Sequence, residues 1–156
     1  TLSSFFKLQK AYIDNEQNPN FKRYIVFPNK QDGPIFEDFF FILYAMNGRH
    51  SYFLNNRKFY FNSFLEKFEP IYYDGMLDFN KEITNVDSYF YNAFSKNYTF
   101  EKMKKIEILM NDIDLFDNFR SRVLLSNKEA KNFYNNSITT FFENINFINI
   151  ELNKKK

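Results

Sequence analysis

Aromatic side chains constrain the fold of this chain more than any other feature, since 156 residues include 23 Phe and 11 Tyr. Each buried ring removes about 150 to 250 Å² from water, so burial of these rings can stabilise a folded core. The length suits one domain, because single domains commonly have roughly 100 to 200 residues. We therefore expect residues 1–156 to form a single domain or a fragment of one, with an aromatic core.

Charge and cysteine content exclude several classes of function. The 21 basic and 19 acidic residues give a net charge of +2 and are spread along the chain, so no strong field attracts nucleic acid or membrane. The absence of cysteine excludes disulfides, thiolate catalysis and Cys-ligated metal centres. The longest apolar run, Phe39 to Met46, is far shorter than the roughly 20 residues that span a bilayer. We expect no nucleic-acid partner and no membrane span.

The sequence of residues 1–34 predicts one helix, one strand and little other regular structure. A short helix is expected within residues 1–20, with an apolar set made of Leu2, Phe5, Phe6 and Leu8. Loose alternation predicts a short strand over Phe21 to Phe27. Asp32, Gly33 and Pro34 then form a helix entry, and Ile35 to Met46 is predicted to be a central helix that stops at Asn47–Gly48.

An aromatic β-hairpin is predicted after this helix. Arg57 to Asn62 and Phe68 to Tyr73 are rich in β-forming aromatic residues, and Ser63 to Lys67 have the length of a hairpin loop. Pro70 lacks a backbone N–H, so it is expected at an edge or a bulge. Core packing on the central helix is favoured over base stacking for three tyrosines, because no basic groove accompanies them; they are Tyr60, Tyr72 and Tyr73.

Two amphipathic helices are predicted to follow the hairpin. The first covers Phe100 to Ile113, and the second begins at a capping box formed by Ser126 and Glu129. The chain as a whole is therefore predicted to be α+β: mostly helical, with a central aromatic β-hairpin. Its three segments are 1–34, the helix and hairpin of 35–80, and the C-terminal helices of 81–156.

Polar residues at the turns between Asn47 and Asp78 carry the only recognisable chemistry. Asp74 follows an apolar strand and precedes Gly75, so its carboxylate is expected to project from a strand end. Magnesium usually takes one or two carboxylates together with phosphate oxygens and water. Asp74 and Asn56 can supply the protein share of such a site.

This segment resembles the spore-coat-protein-H (CotH) family of atypical protein kinases. The likeness covers Phe36 to Phe79, about a quarter of the chain. Family members have an Asn before a tyrosine-rich strand, and then a Lys-Trp-x-x-Ile-Pro-Trp-Asp-x-Asp sequence. The matching residues here are Asn55-Asn56-Arg57-Lys58-Phe59-Tyr60-Phe61 and Lys67-Phe68-Glu69-Pro70-Ile71-Tyr72-Tyr73-Asp74.

The resemblance implies a fragment like the C-terminal lobe of a kinase, which uses Mg²⁺ and ATP to phosphorylate protein hydroxyls. Asp74 would then bind the metal, Asn56 would be a second ligand, and Asp78 would replace the displaced second aspartate of the motif. No nucleotide-cradling loop occurs in residues 1–32, so we expect that lobe to lie upstream and this fragment alone to be inactive. The family is compatible with a secreted or cell-surface location.

The loop before the asparagine departs from the family pattern. Family members are expected to have an aspartate there as catalytic base, whereas this loop reads Asn47-Gly48-Arg49-His50-Ser51. His50, the single histidine, can accept a proton near neutral pH, and Arg49 can stabilise a phosphoryl oxygen. These two residues are the candidate catalytic groups.

Each candidate also has a structural interpretation. Asp74–Gly75 is a common turn dipeptide, His50 can cap the C-terminus of the preceding helix, and Asn56 can simply begin a strand. The alternative to a kinase fragment is a non-catalytic domain that binds a neighbouring protein chain through the aromatic hairpin and the C-terminal helices. The separation of Asn56 and Asp74 discriminates the two, because a kinase-like site requires both groups to face one cleft.

Overall fold

A computed structural model of the chain describes residues 2–17, 33–53, 56–87 and 100–154. Within these ranges the chain forms five α-helices, a 3-10 turn and one antiparallel β-hairpin, which confirms the predicted α+β, mostly helical fold. The predicted strand Phe21 to Phe27 lies outside the described residues. None of the helices in the described ranges has both the length and the apolar character needed to cross a membrane.

The described residues fall into two compact units. The first contains the residues up to Leu77 together with Asp87, and the second contains Asp78–Val86 and residues 100–154. The organisation into one domain with segments 1–34, 35–80 and 81–156 stays a prediction.

The first unit is built on two helices, α1 (Leu2–Glu16) and α2 (Gly33–Ala45). Helix α1 confirms the predicted N-terminal helix. Helix α2 is apolar over most of its surface and supplies most of the buried side chains of this unit, as predicted for a central helix: Phe36, Phe40, Phe41, Leu43, Tyr44 and Ala45.

Helix α2 ends where the sequence predicts, at Asn47–Gly48. Asn47 has a φ of 57°, in the left-handed region that Asn tolerates better than most residues. The N–H groups of Asn47 and Gly48 donate to the carbonyls of Tyr44 (3.0 Å) and Leu43 (2.7 Å), which is the Schellman pattern. A Cβ on Gly48 would lie 2.5 Å from the Cδ2 methyl of Leu77, which can shift, and 3.1 Å from the backbone oxygen of Leu43, so the space there is tight. The chain then forms a 3-10 turn over Arg49–Tyr52.

The predicted hairpin consists of β1 (Lys58–Asn62) and β2 (Lys67–Ile71), paired antiparallel with Phe59 opposite Pro70. The second strand begins one residue earlier and ends two residues earlier than predicted. The Oδ1 atom of Asn62 accepts the N–H groups of Phe64 (3.1 Å) and Leu65 (3.2 Å), which closes the connecting turn. In a two-stranded sheet both strands are edges, so Pro70 is tolerated.

Phenylalanine, not tyrosine, attaches the hairpin to α2. The ring of Phe59 meets that of Phe36 edge to face at 5.4 Å between centroids, and Phe68 is buried. Side chains alternate between the faces of a strand, so Tyr60 is on the opposite face from Phe59. The prediction that three tyrosines pack on the helix is wrong, because about half of each is exposed: Tyr60, Tyr72 and Tyr73.

The second unit contains three helices, α3 (Phe100–Met110), α4 (Ile113–Arg120) and α5 (Asn127–Lys154). The prediction of two helices missed α4. Asp112 has an extended backbone that ends α3, and its side chain accepts the N–H of Asp114 at 2.9 Å to begin α4.

The capping box at the start of α5 is confirmed. The Ser126 hydroxyl accepts the N–H of Glu129 (3.3 Å), and the Glu129 carboxylate accepts the N–H of Ser126 (3.0 Å). The hydrogen bond from the Ser126 side chain lowers the pKa of Glu129 below its ordinary value.

A buried asparagine attaches the segment Asp78–Val86 to α5. Asn144 is 2% exposed; its Oδ1 accepts the N–H of Ile83 at 2.7 Å, and its Nδ2 donates to the carbonyl of Lys81 at 3.0 Å. Both ends of the amide are therefore satisfied by backbone groups, as a buried amide requires. The apolar side chains around it recur at helical spacing on α5: Phe141, Ile145 and Ile148.

Candidate functional site

The loop after β2 holds Asp74 in an unusual backbone conformation. Asp74 and Met76 have φ values of 46° and 49°, a region that residues other than glycine enter at some energetic cost. Gly75, between them, is buried, and a Cβ there would clash with the ring of Tyr72 and lie 2.7 Å from the Ser51 hydroxyl. The sequence Asp-Gly-Met therefore forms a tight, specified turn, as the turn interpretation of Asp74–Gly75 predicts.

Ser51 attaches this turn to the 3-10 turn that follows α2. Its side chain is buried at 4% exposure, and its hydroxyl donates to the carbonyl of Tyr73 at 3.2 Å. Two segments that are distant in sequence are thereby held side by side just where the candidate residues His50 and Asp74 occur.

His50 lies against Asn56 and Asp74, two of the three other candidates in the first unit. Its Nδ1 atom lies 3.1 Å from the backbone oxygen of Asp74 and 3.4 Å from the Asp74 carboxylate Oδ2. The same nitrogen lies 2.9 Å from Nδ2 of Asn56. About two fifths of the His50 side chain is exposed, so the ring is reachable from solvent. The Tyr44 and Leu43 carbonyls at the end of α2 accept the N–H groups of Asn47 and Gly48, whereas the His50 ring contacts Asn56 and Asp74.

Asn56 is buried at 8% exposure and holds the 3-10 turn from within. Its Nδ2 donates to the backbone oxygen of His50 at 3.1 Å, in addition to the contact with the ring. The carbonyl can only accept, so the amide nitrogen must face His50. Within the described residues, Oδ1 of Asn56 has no hydrogen-bond donor.

Asn56 and Asp74 therefore both contact one ring nitrogen of His50. Each contacts the same ring nitrogen of His50, so Nδ2 of Asn56 and Oδ2 of Asp74 are no farther apart than those two contact distances together. The imidazole of His50 lies between them.

Arg49 belongs to a different cluster, although it precedes His50 in sequence. Its guanidinium lies 4.6 Å above the ring of Tyr44 and 3.7 Å from the carboxylate of Asp87. The Tyr44 hydroxyl donates to that carboxylate at 3.3 Å and accepts the N–H of Asp87 at 3.2 Å. Burial raises the pKa of Tyr44 from 10.0 to about 12, with the nearby Asp87 charge also raising it. The Arg49 side chain therefore makes structural contacts with Tyr44 and Asp87, and it is also partly exposed.

Asp78, the third candidate metal ligand, belongs to the second unit. It is exposed, and its backbone oxygen accepts the N–H of Lys81 at 3.3 Å. Its role as a metal ligand stays a prediction from the resemblance.

The described residues offer only a few oxygen ligands for magnesium near His50. Nowhere in the described ranges do three His, Cys, Asp or Glu side chains form a group that can hold a metal ion. Magnesium bound with phosphate needs only one or two protein oxygens, because phosphate oxygens and water complete the octahedron. The exposed carboxylate of Asp74 and the buried Oδ1 of Asn56, which has no donor within the described ranges, match that smaller requirement in number and in kind of atom.

Comparisons of this chain with protein-family models, with curated proteins and with solved structures found no match. The site therefore has to be interpreted from its own geometry.

Three residues that contribute to these clusters were not singled out from the sequence as site residues: Ser51, Gly75 and Asp87. Ser51 and Gly75 lie beside candidates, and the Asp-Gly dipeptide indicated the turn. Asp87 contacts Tyr44 across 43 residues of chain, and nothing in its local sequence indicates that contact.

Proposed function

We propose that this chain is the C-terminal part of a CotH-like atypical protein kinase domain, which transfers the γ-phosphate of ATP to protein hydroxyls with Mg²⁺. The observation that supports the proposal is the meeting of Asn56 and Asp74 at His50. The resemblance assigned these two residues to one site from the sequence alone. Contact of both residues with the same ring nitrogen supports a shared site.

In this proposal Asp74 supplies the principal metal ligand. Its carboxylate is half exposed at the end of the hairpin, on a turn that Ser51 holds in place. Oδ1 of Asn56 is the second protein oxygen. Magnesium, when bound, would neutralise charge on the phosphates. The protein contributes position, because Asn56 is bonded to the 3-10 turn and Asp74 lies on the turn that follows the hairpin.

His50 and Arg49 are the groups that complete the site. No carboxylate occupies the loop from Asn47 to Ser51, so His50 is the side chain of that loop which lies beside Asp74. Arg49 already lies 3.7 Å from Asp87, so a bound phosphoryl oxygen would compete with that carboxylate for the guanidinium. In this proposal His50 has the central role in the site and Arg49 has a supporting role.

The test is transfer of labelled γ-phosphate by the full-length gene product to itself and to a mixture of generic protein substrates. Asp74→Asn keeps the size of the side chain and removes its charge, so transfer should fall to background. Asp117→Asn is the matched control, because Asp117 is an exposed carboxylate of the second unit, 3.7 Å from Arg120. Transfer that survives Asp74→Asn would remove the kinase proposal.

A second candidate, a non-catalytic domain that binds a neighbouring protein chain, is favoured by the exposed tip of the hairpin. Phe64 is 97% exposed and Leu65 is 56% exposed. Exposed apolar groups of this size on adjacent residues are typical of contact surfaces. A photo-crosslinking residue at position 64 of the full-length protein should then capture one partner in cells, whereas the same residue at Asn153 should not. Equal labelling from both positions would argue against this function.

A further inference from the structure

The two ring nitrogens of His50 have different surroundings: Nδ1 contacts protein groups, and Nε2 is the other nitrogen of the imidazole. Nδ1 faces inward, against Asn56 and Asp74, while the ring of Phe53 meets the imidazole edge to face at 5.7 Å between centroids. A neutral imidazole has one N–H donor and one acceptor nitrogen, so the partner of Nδ1 decides which atom carries the proton.

The contacts of Asn56 indicate which ring nitrogen of His50 carries the proton. Its Nδ2 atom faces His50 because it donates to the His50 carbonyl, and the same Nδ2 lies 2.9 Å from Nδ1. An N–H on Nδ1 would face the amide N–H at that distance, so the shortest of the three polar contacts of Nδ1 favours an acceptor nitrogen there. The oxygens of Asp74 are acceptors that compete for the same nitrogen, and both lie farther away, at 3.1 and 3.4 Å.

We propose that Asn56 is a positioning residue that holds neutral His50 with its proton on Nε2, so that His50 presents a hydrogen-bond donor at its outer edge. The sequence had indicated the opposite role, a proton acceptor. This inference rests on the proposed function for its ligand, because the chemistry that such a donor recognises there is an anionic phosphoryl oxygen. A fixed donor of this kind binds and orients a charged oxygen without reorganising when the oxygen arrives.

If His50 is a donor, both ends of the Asn56 amide have a function in the site. Nδ2 contacts the imidazole, and the buried Oδ1, which has no donor among the described residues, is the end that a cation or a donor from the ligand would meet. A buried amide with one satisfied and one open end is uncommon, because buried polar atoms are nearly always hydrogen-bonded. In contrast, Asn144 of the second unit has both ends bonded to backbone groups.

Nitrogen NMR of the ring tests the proposal directly, because His50 is the only histidine and gives one set of imidazole signals. At about pH 9, where an imidazole in water is neutral, we expect Nε2 to carry the proton and Nδ1 to show the shift of an acceptor nitrogen. Asn56→Asp replaces the donating amide by an acceptor of the same shape, so Nδ1 should then become protonated. Asn111→Asp is the control, since the Asn111 amide bonds the Glu107 carbonyl, and it should leave the ring signals unchanged.

A second measurement needs no variant, in case Asn56→Asp does not fold. A scalar coupling across the hydrogen bond between Nδ2 of Asn56 and Nδ1 of His50 is expected in the unaltered chain. A proton found on Nδ1 in the unaltered chain, or the absence of any change in folded Asn56→Asp, would overturn the inference. If the NMR result holds while Mg-ATP fails to bind the full-length protein, the proposed function is wrong and the positioning role of Asn56 stands. If Mg-ATP binds and the proton is on Nδ1, the positioning role of Asn56 is wrong and the proposed function stands.

Discussion

Nδ1 of His50 lies 3.1 Å from the backbone oxygen of Asp74 and 3.4 Å from its carboxylate, although 24 positions separate the two residues in sequence. The hairpin makes this approach possible, because β1 and β2 return the chain to the 3-10 turn that follows α2. Ser51 and Gly75 then determine how closely the two turns approach. The first prediction concerns that approach.

Gly75→Ala should destabilise the first unit by about 1 to 3 kcal/mol, because the added Cβ clashes with the Tyr72 ring and lies 2.7 Å from the Ser51 hydroxyl. The ring of Tyr72 is half exposed and can move, but Ser51 is buried and bonded to the Tyr73 carbonyl. Urea unfolding measures the change. Ser63→Ala, in the exposed hairpin turn, is the control and should be near neutral. Equal stability of the two variants would show that the turns do not pack as closely as described.

Asn144→Ala should destabilise the second unit by about 2 to 4 kcal/mol, because it leaves the buried N–H of Ile83 without an acceptor and the carbonyl of Lys81 without this donor. Asn153→Ala is the matched control, since the Asn153 amide bonds only the Asn149 carbonyl on an exposed helix face. Thermal or urea unfolding followed by circular dichroism compares the two. A loss in Asn144→Ala no larger than in the control would contradict the assigned contacts.

The hydroxyl of Tyr44 should make stability depend on pH in the alkaline range. Its pKa rises from 10.0 to about 12 on folding, so the folded state keeps the proton over a range in which the unfolded state loses it. This contribution is complete below pH 10 and is lost as the pH rises toward 12, by up to about 2 to 3 kcal/mol. Tyr44→Phe should remove that slope.

The measurement is the free energy of unfolding of both proteins at several pH values from 8 to 12, taken from denaturant titrations. Other groups that titrate in this range contribute equally to both proteins, so the difference between them isolates Tyr44. A difference that stays constant across the range would contradict the raised pKa.

The sequence predicted the elements whose signals are local. The Schellman end of α2 follows from Asn47–Gly48, the capping box from Ser126 and Glu129, and the hairpin from two aromatic runs with a short loop between them. These features depend on neighbouring residues, which a sequence displays directly.

The failures have equally specific causes. Tyr60 and Phe59 are both aromatic, so composition did not show which of the two faces α2, and the structure selects Phe59. Helix α4 was missed because its start depends on a single capping side chain, that of Asp112. Asn56 and Asp74 were paired as candidate ligands both from their places at turns and from the family resemblance. The His50 ring between them was not foreseen.

Isothermal titration of Mg-ATP into the full-length protein, with Asp74→Ala beside it, tests the central claim most directly. The account predicts saturable heat for the unaltered protein and an affinity weakened by at least about tenfold in Asp74→Ala, because the variant loses the principal metal ligand. Asp117→Ala should bind as the unaltered protein does. Equal heats from the unaltered protein and Asp74→Ala would contradict a nucleotide site at Asp74.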